Sequence, residues 1–277
     1  MTQCSGWQSP GWSNPNLLVN WDFRNPVNQR GQTSYVGAGY GIDMWWLQYV
    51  SILQIKDGYV TYSGMWELRQ HFECPLVPGI YTLSIKAANC NGKTVFRCVS
   101  GQNENIVEFI IPEIGAEWEF KKITFCAEKS ISYISFYNVG QEDATMDIQA
   151  VKLEVGPIST LALDLMQPSD YTAELRKCQR YLQIYNVPLW FYAPQEWYAE
   201  TIFDLQEEMR IIPSFSFEGN VEIMRDNGDL DILVSTVTQF SGNTTKPLLR
   251  LAIDNSKAVI GHSYLLRELK LIFSAEL

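Results

Sequence analysis

Flat rings crowded among turn residues are the chemistry-bearing feature of this 277-residue chain. Within residues 16–46, Asn25, Pro26, Asn28, Gly31, Gly37, Gly39 and Gly41 break the chain into turns. Tyr35, Tyr40, Trp45 and Trp46 stand between and after those turns, and Tyr62 and Trp66 follow shortly after. Aromatic faces stack on the C–H faces of sugar rings, and side-chain amides hydrogen-bond sugar hydroxyls. These six aromatic residues are therefore the candidate glycan-binding set. Core packing competes for every one of them. Successive strand residues face opposite ways, so at most one of Trp45 and Trp46 points into a single sandwich core.

Catalytic constellations are weaker. A glycosidase needs two carboxylates flanking the scissile bond. Glu67, Glu73, Glu108, Glu117, Glu119, Glu142, Asp143, Asp204, Glu207 and Glu208 supply acids. Most fall at outward strand positions or in turns, where a solvated carboxylate is the ordinary role. With only His71 and His262 and no Gly-x-Ser-x-Gly elbow, no Ser/His/Asp triad is credible, and no zinc spacing appears. Cys178 has Lys177 and Arg180 nearby, but a helical cysteine facing the core is the plainer role. The triplet Gly37, Gly39, Gly41 lacks the spacing of a phosphate loop. The chain reads as a binding protein and not an enzyme.

The elements that must position these residues are mostly strands. Hydrophobic content of 46% is ample for packed cores, and seven of the nine tryptophans precede residue 120. The formal net charge of −10, without a basic stripe, argues against a nucleic-acid partner. No apolar run reaches the roughly 18–20 residues of a membrane span, so no membrane insertion is expected. The first eight residues lack the features of a secretory signal, which predicts synthesis and folding in the cytoplasm. Six scattered cysteines without CxxC spacing predict buried or half-buried free thiols.

Alternation places strands at residues 80–87, 106–111, 118–126, 131–137 and 147–155, which predicts an all-β sandwich. Residues 157–168 read as a connector. Asp170 could cap a helix from Tyr171 to about Tyr185, with Leu175, Cys178, Tyr181 and Leu182 on its apolar side. β patterning returns after Thr201: residues 214–218, a hairpin turn at 226–229, and a closing strand at 268–275 with Leu269, Leu271, Phe273 and Ala275 inward. The expected fold class is all-β, two β-sandwich, jelly-roll-like domains joined by a short helix-containing linker. The boundaries are an N-terminal arm at 1–15, a first domain at 16–157, the linker at 158–187 and a second domain at 188–277.

The wording of the first domain resembles carbohydrate-binding-module-like jelly rolls in tail-fibre and other virion proteins of phages and prophages. The shared signposts are Asn-Leu-Leu at 16–18, Pro-Val-Asn-Gln-Arg-Gly at 26–31, Ile-Asp-x-Trp at 42–45, Pro-Gly-x-Tyr-Thr-Leu-Ser at 78–84, Glu-Trp at 117–118 and Val-Lys-Leu-Glu-x-Gly at 151–156. Met44 stands where the pattern usually has Arg. The second half resembles the distal domain of phage tail-fibre proteins through Glu-Leu-x-x-Cys-Gln-Arg-Tyr at 174–181, Met-Arg-x-x-Pro at 209–213 and a terminal Ala-Glu-Leu.

The resemblance implies a phage virion surface protein, of fibre or receptor-binding type, that binds bacterial or environmental glycans non-catalytically and multivalently as a homotrimer. Its arm, with Trp7 and Trp12, would attach to other virion proteins. Leu175, Cys178, Tyr181, Leu182, Trp190 and Trp197 are the candidate subunit-interface residues. No cofactor is expected. Modules of this type often hold one structural calcium, for which Asp22 and Asp147 are the matching carboxylates, unless Asp22 simply hydrogen-bonds the turn after it. The alternative is a purely structural head-fibre, decoration or baseplate component whose aromatics join subunits.

Overall fold

A computed structural model describes residues 13–139, 144–167, 169–195, 198–218, 222–225, 230–253, 260–267 and 270–276. Trp7, Trp12, Trp197, Leu269 and the turn at 226–229 lie outside the described residues. The chain divides into two compact units, residues 1–175 and 176–277, so the division falls between Leu175 and Arg176. Among the described residues no helix is long and apolar enough to cross a membrane.

The first unit is two six-stranded antiparallel sheets. One runs in the order β1 (Ser34–Val36), β4 (Ile52–Lys56), β5 (Tyr59–Ser63), β12 (Thr145–Val155), β7 (Gly79–Asn91), β10 (Glu119–Ala127). The other runs β2 (Gly39–Tyr40), β3 (Trp46–Leu47), β6 (Leu68–Leu76), β11 (Ile131–Asn138), β8 (Thr94–Val99), β9 (Asn105–Ile111). All five strands expected from alternation in this unit are present. In β7, Tyr81, Leu83, Ile85 and Ala87 enter one core with Trp45, Phe96, Phe136, Ile148 and Leu153. Each large side chain buried there contributes about 1.5–3 kcal/mol of transfer free energy.

The two outer faces of this sandwich differ. On the first sheet, Thr82, Ser84, Lys152 and Glu154 should be solvated by alternation, yet all four are buried. The chain after β12 covers them and includes the short helix α1 (Leu161–Asp164). Ser84 Oγ meets Ser159 Oγ at 2.6 Å, and Lys152 Nζ donates to Thr160 Oγ1 at 2.8 Å and Asp164 Oδ2 at 2.5 Å.

The helix α2 (Tyr171–Gln179) starts where expected, with Asp170 Oδ1 accepting from the Ala173 N–H at 3.1 Å. It ends six residues earlier than its apolar spacing suggested. Leu182 instead opens a strand, because cross-strand pairing with the C-terminus satisfies its backbone: β13 (Leu182–Asn186) lies antiparallel to β21 (Lys270–Ser274), which also pairs with β16 (Ser214–Glu218).

The remaining strands of the second unit close into a barrel. Its order is β14 (Leu189–Gln195), β15 (Tyr198–Ile202), β19 (Pro247–Ile253), β18 (Leu230–Gly242), β17 (Glu222–Arg225), β20 (Ser263–Arg267). Leu271, Phe273 and Ala275 point inward as the alternation predicts, packing with Phe191, Phe203 and Tyr264. Of the cysteines, Cys90, Cys98 and Cys178 are buried free thiols, whereas Cys74 and Cys126 are exposed, which corrects the expectation that all are covered. Cys126 sits at an outward position of β10, and Cys74 lies where the register between β6 and β11 is interrupted.

Candidate functional site

The stretch 16–46 is mainly structural. Residues 17–23 run beside β12, with Leu17 N–H donating to Leu153 O at 2.9 Å and Phe23 N–H to Gln149 O at 2.8 Å. Several side-chain amides of the stretch are engaged within the protein: Asn28 Nδ2 donates to Gln32 O at 2.8 Å and Gln29 Nε2 to Asp43 Oδ2 at 2.7 Å. Asn16 Nδ2 donates to Val151 O at 3.0 Å, and its Oδ1 accepts from Leu18 and Leu153. Asn20, at φ +54°, donates to Val27 O and Asp43 O and accepts from Val27 N–H.

Three of the six glycan-binding candidates are core residues and cannot stack on a ligand from these positions. Trp45 is fully buried against Phe23, with Nε1 donating to Asn20 O at 3.0 Å. Tyr62 is fully buried, its hydroxyl donating to Trp66 O. Tyr35 is buried, its hydroxyl donating to Asn28 Oδ1. The sandwich closes over whichever ring points between its sheets, and these three do.

Tyr40, Trp46 and Trp66 keep part of their surface accessible; Tyr40 on β2 and Trp46 on β3 share the second sheet, and Trp66 stands in the bend that leads into β6. Cross-strand pairing sets Tyr40 opposite Trp46, Trp46 opposite Arg69, Arg69 opposite Ser135, Ser135 opposite Arg97, and Arg97 opposite Glu108. These six residues form one row across all six strands of the second sheet. Their neighbours along each strand, Leu47, Leu68, Ile134 and Phe96, belong to the core, so the row lies on the opposite face.

The row is densely engaged. Tyr40 and Trp46 meet edge to face at 5.2 Å. The Arg30 guanidinium lies 5.4 Å from the Tyr40 ring, and Arg30 pairs with Asp43 at 3.4 Å. Arg97 forms an ion pair with Glu67, donates to Ser135 Oγ at 3.0 Å and covers Tyr137 at 5.0 Å. The Tyr137 hydroxyl is pushed up from its ordinary pKa, first by desolvation and then by Glu108. His71 lies 4.7 Å from the Tyr133 ring, and burial, then the charge of Arg69, push its pKa down to about 4.

Beside this row lies a cavity of about 390 Å³, lined by Trp66, Glu67, Arg97, Tyr137, Gln48 and Asn138 among others. Trp66 is 40% exposed and backed by Tyr49 at 4.5 Å. Gly64 sets the approach to it: φ is +103°, and a Cβ there would come within 3.1 Å of Ser51 Cα. Glu67 is buried, and its Oε2, which Arg97 does not take, has no hydrogen-bond partner among the described residues. An acceptor of that kind in a cavity wall suits a ligand hydroxyl.

Sequence reasoning named Trp66 and Glu67 but missed Arg69, Arg97, Tyr133, Ser135 and Tyr137. The signal was available as alternation: Glu67, Arg69 and His71 against Leu68, Gln70 and Phe72, and Tyr133, Ser135 and Tyr137 against Ile134 and Phe136.

The calcium candidates are otherwise engaged. Asp22 takes the Arg24 guanidinium through both oxygens at 2.7 Å, and Asp147 accepts from Thr61 Oγ1 at 2.6 Å and Asn89 Nδ2 at 2.7 Å. Among the described residues no cluster of three or more His, Cys, Asp or Glu is arranged to hold a metal. Of the interface candidates, Cys178, Tyr181 and Leu182 are already buried within the chain, which removes them from a subunit contact; Leu175 is half-buried, and Trp190 is 52% exposed.

No family model matches the chain, and no curated protein matches it. Solved structures similar to part of it include carbohydrate-binding modules. A CBM4 module shares 17% identity with a TM-score of 0.35, covering 50% of this chain and 98% of its own. The second N-terminal cellulose-binding domain of Cellulomonas fimi β-1,4-glucanase C shares 14% with a TM-score of 0.35, covering 53% and 97%. A point mutant of a family 29 carbohydrate-binding module, CBM29-2, shares 14% with a TM-score of 0.32, covering 46% and 100%.

Proposed function

We propose that this protein binds glycans non-catalytically through the open face of its second sheet, and does so multivalently on the surface of a phage particle. The observation that carries the reading is the cavity beside that face. There an exposed ring, Trp66, stands next to Glu67, whose buried Oε2 has no hydrogen-bond partner among the described residues. The ring supplies stacking for a sugar's C–H face, and the carboxylate accepts its hydroxyl.

Glu67 is the only carboxylate lining the cavity among the described residues, whereas acid–base glycoside cleavage needs two across the bond. Binding without hydrolysis is therefore favoured. Virion location and a homotrimer rest on the resemblance of the chain's motifs to fibre proteins. Trp190 and Tyr192, side by side on one face of β14 and 52% and 55% exposed, support a subunit contact. Three weak sites on one particle raise the effective affinity by avidity.

The test is calorimetric titration of purified protein with bacterial cell-wall polysaccharides, with reducing-sugar release followed in parallel. Saturable binding without release is expected, and Trp66→Ala should weaken it about tenfold, the worth of one stacked ring at about 1–1.5 kcal/mol. Unchanged affinity in folded Trp66→Ala would remove the cavity from the reading. Release of reducing ends would reassign the protein as a hydrolase.

A further inference from the structure

Two cations stand in the row across the second sheet, and they are not equivalent. Arg97 is consumed by the Glu67 carboxylate, by Ser135 Oγ and, at 3.4 Å, by Asn105 Oδ1. Arg69 makes no hydrogen bond or ion pair among the described residues. Its only partners are rings: the guanidinium carbon lies 5.5 Å from Trp46 on β3 and 5.6 Å from Tyr133 on β11, one on each flank of β6. Among the described residues, Arg69 Nε is buried without an acceptor, and so is Nε1 of Trp46, its cross-strand partner.

Two adjacent buried donors and one uncompensated charge define the ligand that fits. Each unmet donor costs roughly 1–3 kcal/mol, which a ligand oxygen would offset. A sugar laid on these rings also takes Arg69 further out of water. A neutral sugar would leave that cation desolvated and unpaired, whereas a carboxylate supplies the charge and a flat pair of acceptors. Rings within 6 Å on both flanks compete for the faces of the guanidinium, and the edge of such a group is what a carboxylate pairs with in bidentate fashion. The nearest acid on the same strand face, Glu67, is already held by Arg97. A phosphodiester polymer would present charge after charge, and this face holds one free cation among the described residues.

We propose that Arg69 and Trp46 form a subsite for the carboxylate of an acidic sugar, so that the glycan taken by this face carries uronate or a comparable carboxylated residue. The inference rests on the glycan-binding reading and narrows its substrate class. It also accounts for how a chain of net charge −10 takes an acidic polymer: attraction comes from one placed guanidinium, against the long-range field.

The experiment titrates the full chain with galacturonate, glucuronate, mannuronate and sialylated oligosaccharides, each beside its carboxyl-reduced counterpart. A poly(glycerol phosphate) arm is run in the same buffer. At least one acidic oligosaccharide should bind about tenfold or more tightly than its reduced form, the size of one charge-assisted pair. Arg69→Gln should bring that ratio to about one, and Arg69→Lys should retain part of it. A ratio of one in wild-type protein, with Trp66→Ala still weakening binding, overturns the carboxylate subsite and leaves glycan binding standing. Tighter binding of poly(glycerol phosphate), lost in Arg69→Gln, would reassign the subsite to phosphate and likewise overturn it. No binding of any oligosaccharide overturns both readings.

Discussion

At the scale of single residues, the chemistry of the open face depends on side chains held short of their solution behaviour. His71 is the titrating example. Burial and the Arg69 charge lower its pKa from 6.5 to about 4. The folded state therefore binds fewer protons than the unfolded chain between those values, so stability falls as pH drops through that window and is unaffected by His71 above it. His71 is partly solvated, so the expected loss from pH 7 to 4 is reduced by screening to about 1–2 kcal/mol. Urea midpoints of the wild type and His71→Gln between pH 4 and 7 measure it. The wild-type profile should fall more steeply on acidification, and parallel profiles would sink the assignment.

At the scale of elements, the buried charges on the first sheet explain why its outer face is closed. Lys152 is fully buried in β12 and reaches Ser13, Thr160 and Asp164, while Glu154 accepts from the Thr160 N–H at 2.9 Å. These contacts tie α1 and the chain around it to the sheet. Lys152→Met should cost about 3–5 kcal/mol, because it strands carboxylates in a covered site. Lys152→Met combined with Glu154→Gln and Asp164→Asn should recover a good part of that loss, since no unpaired charge is then left. Denaturant unfolding of the two variants decides it, and a loss under about 1 kcal/mol in Lys152→Met would mean that the tie does not hold the cover. Lys152 was legible as the outward member of a strand, but its burial was not: alternation says which face a residue takes, and not whether a distant segment returns to cover that face.

At the scale of the whole molecule, each unit has its own hydrophobic core, one built around Trp45, Phe96 and Leu153 and the other around Phe191, Tyr264 and Phe273. The division falls inside α2, so a fragment meant to keep the first unit must run to Gln179. That helix carries Glu174, whose carboxylate accepts from the Asn20 N–H at 2.7 Å and anchors the N-terminal stretch, so the whole helix is kept. Residues 1–179 should fold alone and retain the oligosaccharide affinity of single sites, while losing the avidity of an oligomer. Near-ultraviolet circular dichroism and calorimetric titration of the fragment test this, and a fragment without a cooperative melt would show that the first unit depends on the second.

The sequence by itself determined the all-β class, five of the twelve strands described in the first sandwich, the cap of α2 and the inward side of the closing strand. Each follows from a local alternation of apolar and polar residues or from a capping side chain, which neighbours in sequence settle. It also placed Trp45 and Trp46 on opposite faces without saying which was which. Only the tertiary structure decided that Trp45, Tyr35 and Tyr62 fill the core, that β13 ends the helix early, and that Arg69 stands between two rings while Arg97 is taken by Glu67. Those outcomes depend on register between strands far apart in sequence, and on which sheet face the returning chain covers. A residue's period of two is written in its neighbours; what lies across from it is written in another part of the chain.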